Sequence, residues 1–199
     1  KNGATANEVR SSIEGRIYDD LCPVLGTEWV DVALHFEDAT ERKPVDGDFV
    51  LIERYVDPTK ISFEHFNESP DILEVIASDS HPNRWRSSVL RSNCRVTNQP
   101  DWGDVYIHIK GKKTVTAESL LQYIVSMRKE NHFHEEICEC IYKRLHDLLQ
   151  PEELVVVCLY TRRGGIDINP VRATNEDLLW DTCSGLLDAW SVNTKTQRQ

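Results

Sequence analysis

Cys94 and Asp101 are the two residues whose types and spacing most directly suggest covalent chemistry. Between them lies Thr97–Asn98–Gln99–Pro100. Pro100 forbids helix and biases Gln99 toward an extended backbone, so a short turn can hold a carboxyl group at a fixed distance from the sulfur. A thiolate adds to an electrophilic carbon, and a protonated aspartic acid supplies the proton that the developing anion needs. Cysteines also pack as small hydrophobes, but the polar neighbours Ser92 and Asn93 weigh against that reading for Cys94.

A second cluster, Asn131–His132–Phe133–His134–Glu135, precedes a helical pattern. Consecutive helical residues diverge by about 100°, so a site at the helix entrance is needed to receive both His134 and Glu135. A carboxylate there accepts two parallel hydrogen bonds, as the ring N–H and exocyclic amine of a guanine-like edge would offer. Compensation of the helix dipole is the competing role for Glu135. His134, Cys138 and Cys140 allow a zinc reading as well, but no C-x-x-C or H-x-x-x-H pair supports it, and no metal is expected. In Arg162–Arg163–Gly164–Gly165, the glycines admit positive φ and close approach of a ligand, while the arginines can grip phosphate. A hairpin turn with solvated arginines would have the same sequence.

These clusters must be positioned by the elements around them. Residues 7–21 carry Val9, Ile13, Ile17 and Leu21 at helical spacing with Asn7 as N-cap, and strands are expected at 29–34 and 49–52 around a charged turn at 37–48. Residues 53–84, with Pro58, Pro70 and Pro82, read as a connecting segment. Val89–Thr97 and Asp104–Lys110 have strand character, the latter alternating Val105, Ile107, Ile109 against Tyr106, His108, Lys110. Helices follow from Thr116 and from about 132 to 149, where Pro151 ends the second. Leu154–Tyr160 and Gly165–Asn169 complete a strand pair.

The order strand, strand, helix, helix, strand, strand predicts an α+β unit in which two helices cover a four-stranded antiparallel sheet. Residues 7–52 repeat its closing half, helix then two strands. The chain therefore divides into 1–55 as the second half of a first unit, 56–84 as linker, 85–172 as a complete second unit carrying the catalytic residues, and 173–199 as a C-terminal tail. Exposed sheet edges predict association into a larger barrel.

Charged residues make up 28% and apolar ones 40% of 199 residues, the balance of a soluble globular protein. The net charge of −10 opposes binding to a nucleic-acid backbone or an anionic membrane and favours a small-molecule substrate. No run approaches a membrane-spanning length and no signal pattern opens the chain, so a cytoplasmic location with reduced cysteines is expected.

Leu90–Ser92–Asn93–Cys94, Gln99–Pro100–Asp101–Trp102–Gly103, Phe133–His134–Glu135 and Tyr160–Thr161–Arg162–Arg163–Gly164–Gly165–Ile166–Asp167–Ile168–Asn169–Pro170, in this order and spacing, closely resemble the long form of 7-cyano-7-deazaguanine reductase, an NADPH-dependent nitrile reductase family of queuosine biosynthesis. The resemblance implies the tunnelling fold, two units per chain and homo-oligomers, dimers or larger. It implies a small 7-deazaguanine substrate, with no direct nucleic-acid or membrane partner. By position, Cys94 matches the nucleophile that forms a thioimide with the nitrile and Asp101 the proton donor. His134 and Glu135 match residues that hold the substrate base, and Arg163 and Gly164 part of the NADPH site. Two hydrides would then give the aminomethyl base. The family's Glu-Ser-Lys-Ser segment belongs ahead of the helix at 7–21, so residues before Lys1 are expected in the native protein. Glu118–Ser119–Leu120–Leu121 occupies the equivalent place in the second unit without a lysine. A non-reducing transferase that passes the same thioimide to an amine, or a catalytically silent base-binding subunit, are the alternatives.

Overall fold

A computed structural model describes residues 5–30, 32, 49–79, 81, 83–179 and 181–182. The chain divides into two compact units, residues 1–41 and 42–199. The first holds the helix α1 (Ala6–Leu25), whose N-cap is Thr5 rather than the expected Asn7. The Thr5 hydroxyl accepts from the Glu8 N–H at 3.3 Å while the Glu8 carboxylate accepts from the Thr5 N–H at 2.7 Å, a reciprocal capping box. Gly26 ends the helix in the left-handed region at φ 63°. Half of the strand expected at 29–34, and all of the turn at 37–48, lie outside the described residues; Trp29, Val30 and Val32 are not in a strand.

The second unit contains β1 (Val50–Leu51), α2 (Ile52–Tyr55), β2 (Val75–Ala77), β3 (Asn83–Asn93), β4 (Pro100–Lys110), β5 (Lys113–Val115), α3 (Ala117–Ser126), α4 (His134–Leu149), β6 (Glu153–Tyr160) and β7 (Val171–Ala173). The main sheet has the order β1-β3-β4-β6-β7, antiparallel except for the parallel contact of β1 with β3, and β2 pairs with β5 in a small second sheet. The α+β class is the one expected, and the order strand, strand, helix, helix, strand, strand holds over β3 to β7 except that the short β5 stands between β4 and α3.

Strand alternation decides what each face buries. Val105, Ile107 and Ile109 of β4 join Leu90, Leu154 and Val156 beneath Leu120, Leu121, Ile124, Ile137, Ile141 and Leu145 of α3 and α4. Tyr106 points the other way, into a smaller cluster with Val155, Val157 and Leu178. That second face is therefore covered in part by residues from the C-terminal segment. Trp180 and the apolar residues Leu186, Leu187 and Trp190 lie outside the described residues.

The segment read as a connection packs closely. Leu73 is buried in the main core, and Glu68 accepts from Tyr123 of α3 and from Arg144 of α4. Two expected strands differ in extent. Phe49–Ile52 supplies only Val50 and Leu51 before α2 begins. After β6 the strand lies at Val171–Ala173, because Asp167 and Asn169 turn their side chains back to Arg162 and to the Tyr160 N–H instead of entering a ladder. Among the described residues no helix is long and apolar enough to cross a membrane.

Candidate active site

Cys94 follows directly on β3, and a tight turn fixes it against the start of β4. The Cys94 N–H donates to the Gln99 carbonyl at 2.8 Å and the Asn98 N–H donates to the Cys94 carbonyl at 2.8 Å, with Asn98 at φ 57°. Asparagine tolerates that left-handed conformation better than most residues. A second connection ties the site to α4. The Asn93 N–H donates to the Glu130 carbonyl at 2.8 Å and the His132 N–H to the Asn93 carbonyl at 3.1 Å, so the entrance of α4 lies alongside the end of β3. Arg95, next to the thiol, pairs with Glu136 at 2.9 Å and sits 5.4 Å from the Phe133 ring, closing the same junction.

The thiol of Cys94 is held below its ordinary pKa, first by the Thr97 hydroxyl, then by the backbone N–H groups of Thr97 and Val96, with a smaller share from the charge of Arg163; desolvation opposes them. The thiolate fraction at neutral pH is raised accordingly.

Asp101 faces Ser92 across the β3–β4 ladder and is buried. Its Oδ1 accepts from Arg163 Nε at 2.6 Å and also pairs with Arg163 Nη2. Its Oδ2 lies 3.3 Å from His134 Nε2. The same guanidinium donates to Gln99 Oε1 at 2.9 Å and to the Gln99 carbonyl at 3.5 Å. Cys94, Gln99, Arg163, Asp101 and His134 thus form one continuous network.

His134 and Glu135, adjacent in sequence, separate as the helical angle requires. The His134 ring is buried and stacks on Tyr160 with centroids 3.9 Å apart and planes at 8°. Glu135 is exposed and makes no hydrogen bond or ion pair among the described residues, which leaves both carboxylate oxygens available to a ligand. Sequence reasoning assigned both residues to one base-holding role. The geometry puts His134 on the acid and leaves Glu135 alone with free acceptors.

Tyr160 and Ser92 were not given roles from sequence. The Ser92 hydroxyl, the Tyr160 hydroxyl and His134 Nδ1 are all buried, with Ser92 opposite Asp101 on the ladder and the Tyr160 ring against His134. Burial pushes the Tyr160 phenol far above its ordinary pKa, the Cys158 thiol adding to this and Ser92 opposing it. The phenol therefore stays neutral. The one signal in the sequence was the position of Tyr160 at the end of an apolar strand, where an aromatic with a polar tip finds both a core and a site edge.

Gly164 and Gly165 adopt φ 59° and 82° in a two-residue turn, closed by Arg163 N–H to Ile166 carbonyl at 3.1 Å and Ile166 N–H to Arg163 carbonyl at 3.0 Å. Such a turn requires positive φ at both central positions. A Cβ built on either glycine meets nothing within 4 Å, so the turn opens to space. An open glycine turn beside two partly exposed arginines fits a phosphate-bearing cofactor. The zinc alternative does not assemble: Cys138 is buried against the carbonyls of Val156 and Pro170 while His134 faces Asp101, and among the described residues no three His, Cys, Asp or Glu side chains form a metal-binding group.

Comparison with known proteins bears on this arrangement. The family model described as QueF-like protein matches residues 100–178, a span that holds Asp101, His134, Glu135, Arg163 and Gly164. Cys94 lies six positions ahead of the matched QueF-like span and joins it through the turn described above. The chain is 55% identical over 164 residues to a protein of Acinetobacter baumannii (strain SDF) named NADPH-dependent 7-cyano-7-deazaguanine reductase, covering 81% of this chain and 56% of that protein. A protein of the same name from Colwellia psychrerythraea is 40% identical over 124 residues, covering 60% of this chain and 43% of that protein. The chain spans about half the length of the curated relatives it matches. Among solved structures, the archaeosine synthase QueF-Like in the apo form aligns at 17% identity and TM-score 0.44, covering 50% of this chain and 97% of that chain.

Proposed function

We propose that the chain belongs to an enzyme that reduces the nitrile of 7-cyano-7-deazaguanine to the aminomethyl group with NADPH. The observation that carries the reading is the network joining a cysteine of lowered pKa to a buried carboxyl group through Gln99 and Arg163, in a chain 55% identical to a protein named as such a reductase. Cys94 is the nucleophile and Asp101 the acid. The exposed, unpaired Glu135 takes the guanine-like edge of the base, and His134 orients Asp101. Arg163 and Gly164, at the open turn, are the residues to hold NADPH, which supplies hydride when bound. The substrate is a small base, without direct binding of nucleic acid or membrane, in the cytoplasm; the net charge of −10 supports this.

Residues 85–172 form the catalytic unit in this reading, residues 1–55 the closing half of a preceding one, 56–84 the connection and 173–199 a tail. The short outer strands β1 and β7, of two and three residues, leave the longer β3 and β6 with edge positions for a second copy, so a homo-oligomer, dimer or larger, is expected.

Incubation with 7-cyano-7-deazaguanine tests the chemistry. The expected result is a mass increase of one substrate on the peptide containing Cys94, absent from Cys94→Ala. Absence of an adduct on the wild-type chain rejects the reading. Release of product with ammonia or glutamine and no NADPH would replace it with amine transfer.

A further inference from the structure

Cys94 stands on a short segment held from both sides by residues 130–136, the approach to α4 and its first turn. On one side, both backbone groups of Asn93 are bonded to that approach: its N–H donates to the Glu130 carbonyl at 2.8 Å, and its carbonyl accepts from the His132 N–H at 3.1 Å. On the other side, Arg95 pairs with Glu136 at 2.9 Å, and Glu136 accepts from the Phe133 N–H at 2.8 Å. The His132 ring lies between the two carboxylates, 3.3 Å from Glu130 Oε2 and 3.4 Å from Glu136 Oε2. Glu130 has a further attachment, 62 positions back in the sequence. Its Oε1 accepts from the Glu68 N–H at 2.9 Å and from Asn67 Nδ2 at 3.3 Å. These two residues belong to the connecting segment, which is itself tied down beside α3 and α4: the Lys129 N–H donates to the Phe66 carbonyl at 2.8 Å, the Ser69 N–H to the Ser126 hydroxyl at 3.3 Å, and Glu68 accepts from Arg144 at 2.9 Å. One carboxylate, its side chain 20% exposed, therefore joins the connection to the segment that brackets Cys94.

We propose that Glu130 is a positioning residue, whose carboxylate fastens Asn67 and Glu68 of the connection to the approach of α4 and so sets where Cys94 stands relative to His134 and Glu135. Its use rests on the nitrile reading above; the coupling itself does not. Hydrogen bonds to an ionised acceptor are about twice as strong as neutral ones, and partial burial preserves that strength. Without the carboxylate, the Glu68 N–H loses its acceptor and the His132 ring loses one of its two neighbours. Residues 130–132 are then held by backbone bonds alone, and the bracket around Asn93 loosens with them. His134 and Glu135, on the first turn of α4, keep their places in the helix, so the change falls on the distance from the thiol to the base-holding side chains. A displacement of about 1 Å between reacting groups costs on the order of a hundredfold in rate. The connection is thereby a working part of the site, acting through a residue that touches none of the reacting atoms.

Hydrogen exchange followed by mass spectrometry, on the chain without substrate, tests the coupling. Glu130→Ala speeds exchange of the peptides holding Asn93 and His132 by about tenfold or more, the size of one hydrogen bond to a charged group, and leaves the β4 and β6 peptides unchanged. Glu130→Gln keeps an acceptor for the Glu68 N–H and stays within about threefold of wild type. Asn67→Ala, an exposed residue on the far side of the carboxylate, moves the same two peptides in the same direction by about two- to threefold. Uniform acceleration in a folded variant, or none at Asn93, overturns the proposal. If Glu130→Ala does not fold, Asn67→Ala decides by the same criterion. The second measurement is the rate of adduct formation at Cys94 against the concentration of 7-cyano-7-deazaguanine. Glu130→Ala lowers the maximal rate about tenfold or more and shifts the half-saturating concentration by less than about threefold, because the thiol is displaced while the base-holding side chains are not. An unchanged maximal rate overturns the proposal. Absence of any adduct on the wild-type chain rejects the reductase reading and leaves the exchange result standing, so the two failures are distinguishable.

Discussion

Glu53→Ala is the sharpest test of how the site is held in register. β3 carries an irregularity between Ser87 and Leu90, where its pairing with β4 shifts. Glu53 of α2 fills this point: one carboxylate oxygen accepts from the Ser87 hydroxyl at 2.9 Å and from the Ser88 N–H at 2.7 Å, both donors belonging to buried residues. A hydrogen bond to a charged group contributes about 1.5–3 kcal/mol, and a hydroxyl can rotate toward another acceptor more easily than a backbone N–H can. Alanine therefore costs about 2–4 kcal/mol in all, a fall of roughly 5–15 °C in melting temperature for a chain of this size. Glutamine keeps an acceptor oxygen and costs about 1 kcal/mol or less. Urea unfolding followed by circular dichroism, with calorimetry for the melting temperature, measures both. The reasoning fails if Glu53→Ala stays within about 0.5 kcal/mol of wild type, or if Glu53→Gln loses as much as alanine does. Function follows from the same contact, because a one-residue slip in β3 would turn Ser92 away from the face it shares with Asp101.

Gly103→Ala places a Cβ 3.1 Å from the Leu159 carbonyl oxygen and 3.1 Å from Tyr160 Cδ1. It should destabilise by about 1–3 kcal/mol and slow adduct formation by displacing the ring on which His134 stacks, as stopped-assay mass spectrometry would show. His108 is buried beside Glu153 and Arg84, and burial lowers its pKa from 6.5 while the Glu153 hydrogen bond opposes the shift. The unfolded chain thus takes up this proton at higher pH than the folded one. Stability present above about pH 6.5 is lost as pH falls through that value toward the folded pKa, by at most about 1.4 kcal/mol per pH unit. Urea midpoints at pH 7.5 and 5.5 should differ less in His108→Gln than in the wild type.

Much of this was legible in the sequence because it depends on local rules. The alternation in β4 does separate Ile107 from Tyr106, Thr116 does cap α3, and a short turn does follow Cys94. The site residues named from sequence were those with distinctive chemistry. What stayed hidden were pairings over long sequence distances: Arg163 lies 62 positions from Asp101 and Glu53 lies 35 from Ser88, and nothing in either local pattern announces the partner. The second covered face of the sheet was hidden for the same reason, since Leu178 reaches Tyr106 only through the folded topology. Which of His134 and Glu135 is buried was hidden too, because a helix entrance exposes one residue and buries the next, and sequence alone does not say which. Side-chain competition explains the misplaced final strand, where Asn169 caps the Tyr160 N–H.

The connectivity of the sheet also sets an order of assembly. β3 and β4 are neighbours in sequence and can zip from the turn at Cys94, so Cys94, Thr97 and Asp101 are brought together by a local event of the microsecond kind. β6 joins β4 only after the chain has passed through both helices, its first pair, Lys110 and Glu153, lying 43 positions apart. Loop closure makes that step the slower one. His134 and Arg163 arrive with it. A nascent or partly unfolded chain therefore carries the Cys94 turn without the side chains that flank Asp101, and a thiol reagent applied during refolding reads two stages: early turn closure at Cys94, then the late docking of His134 and Arg163.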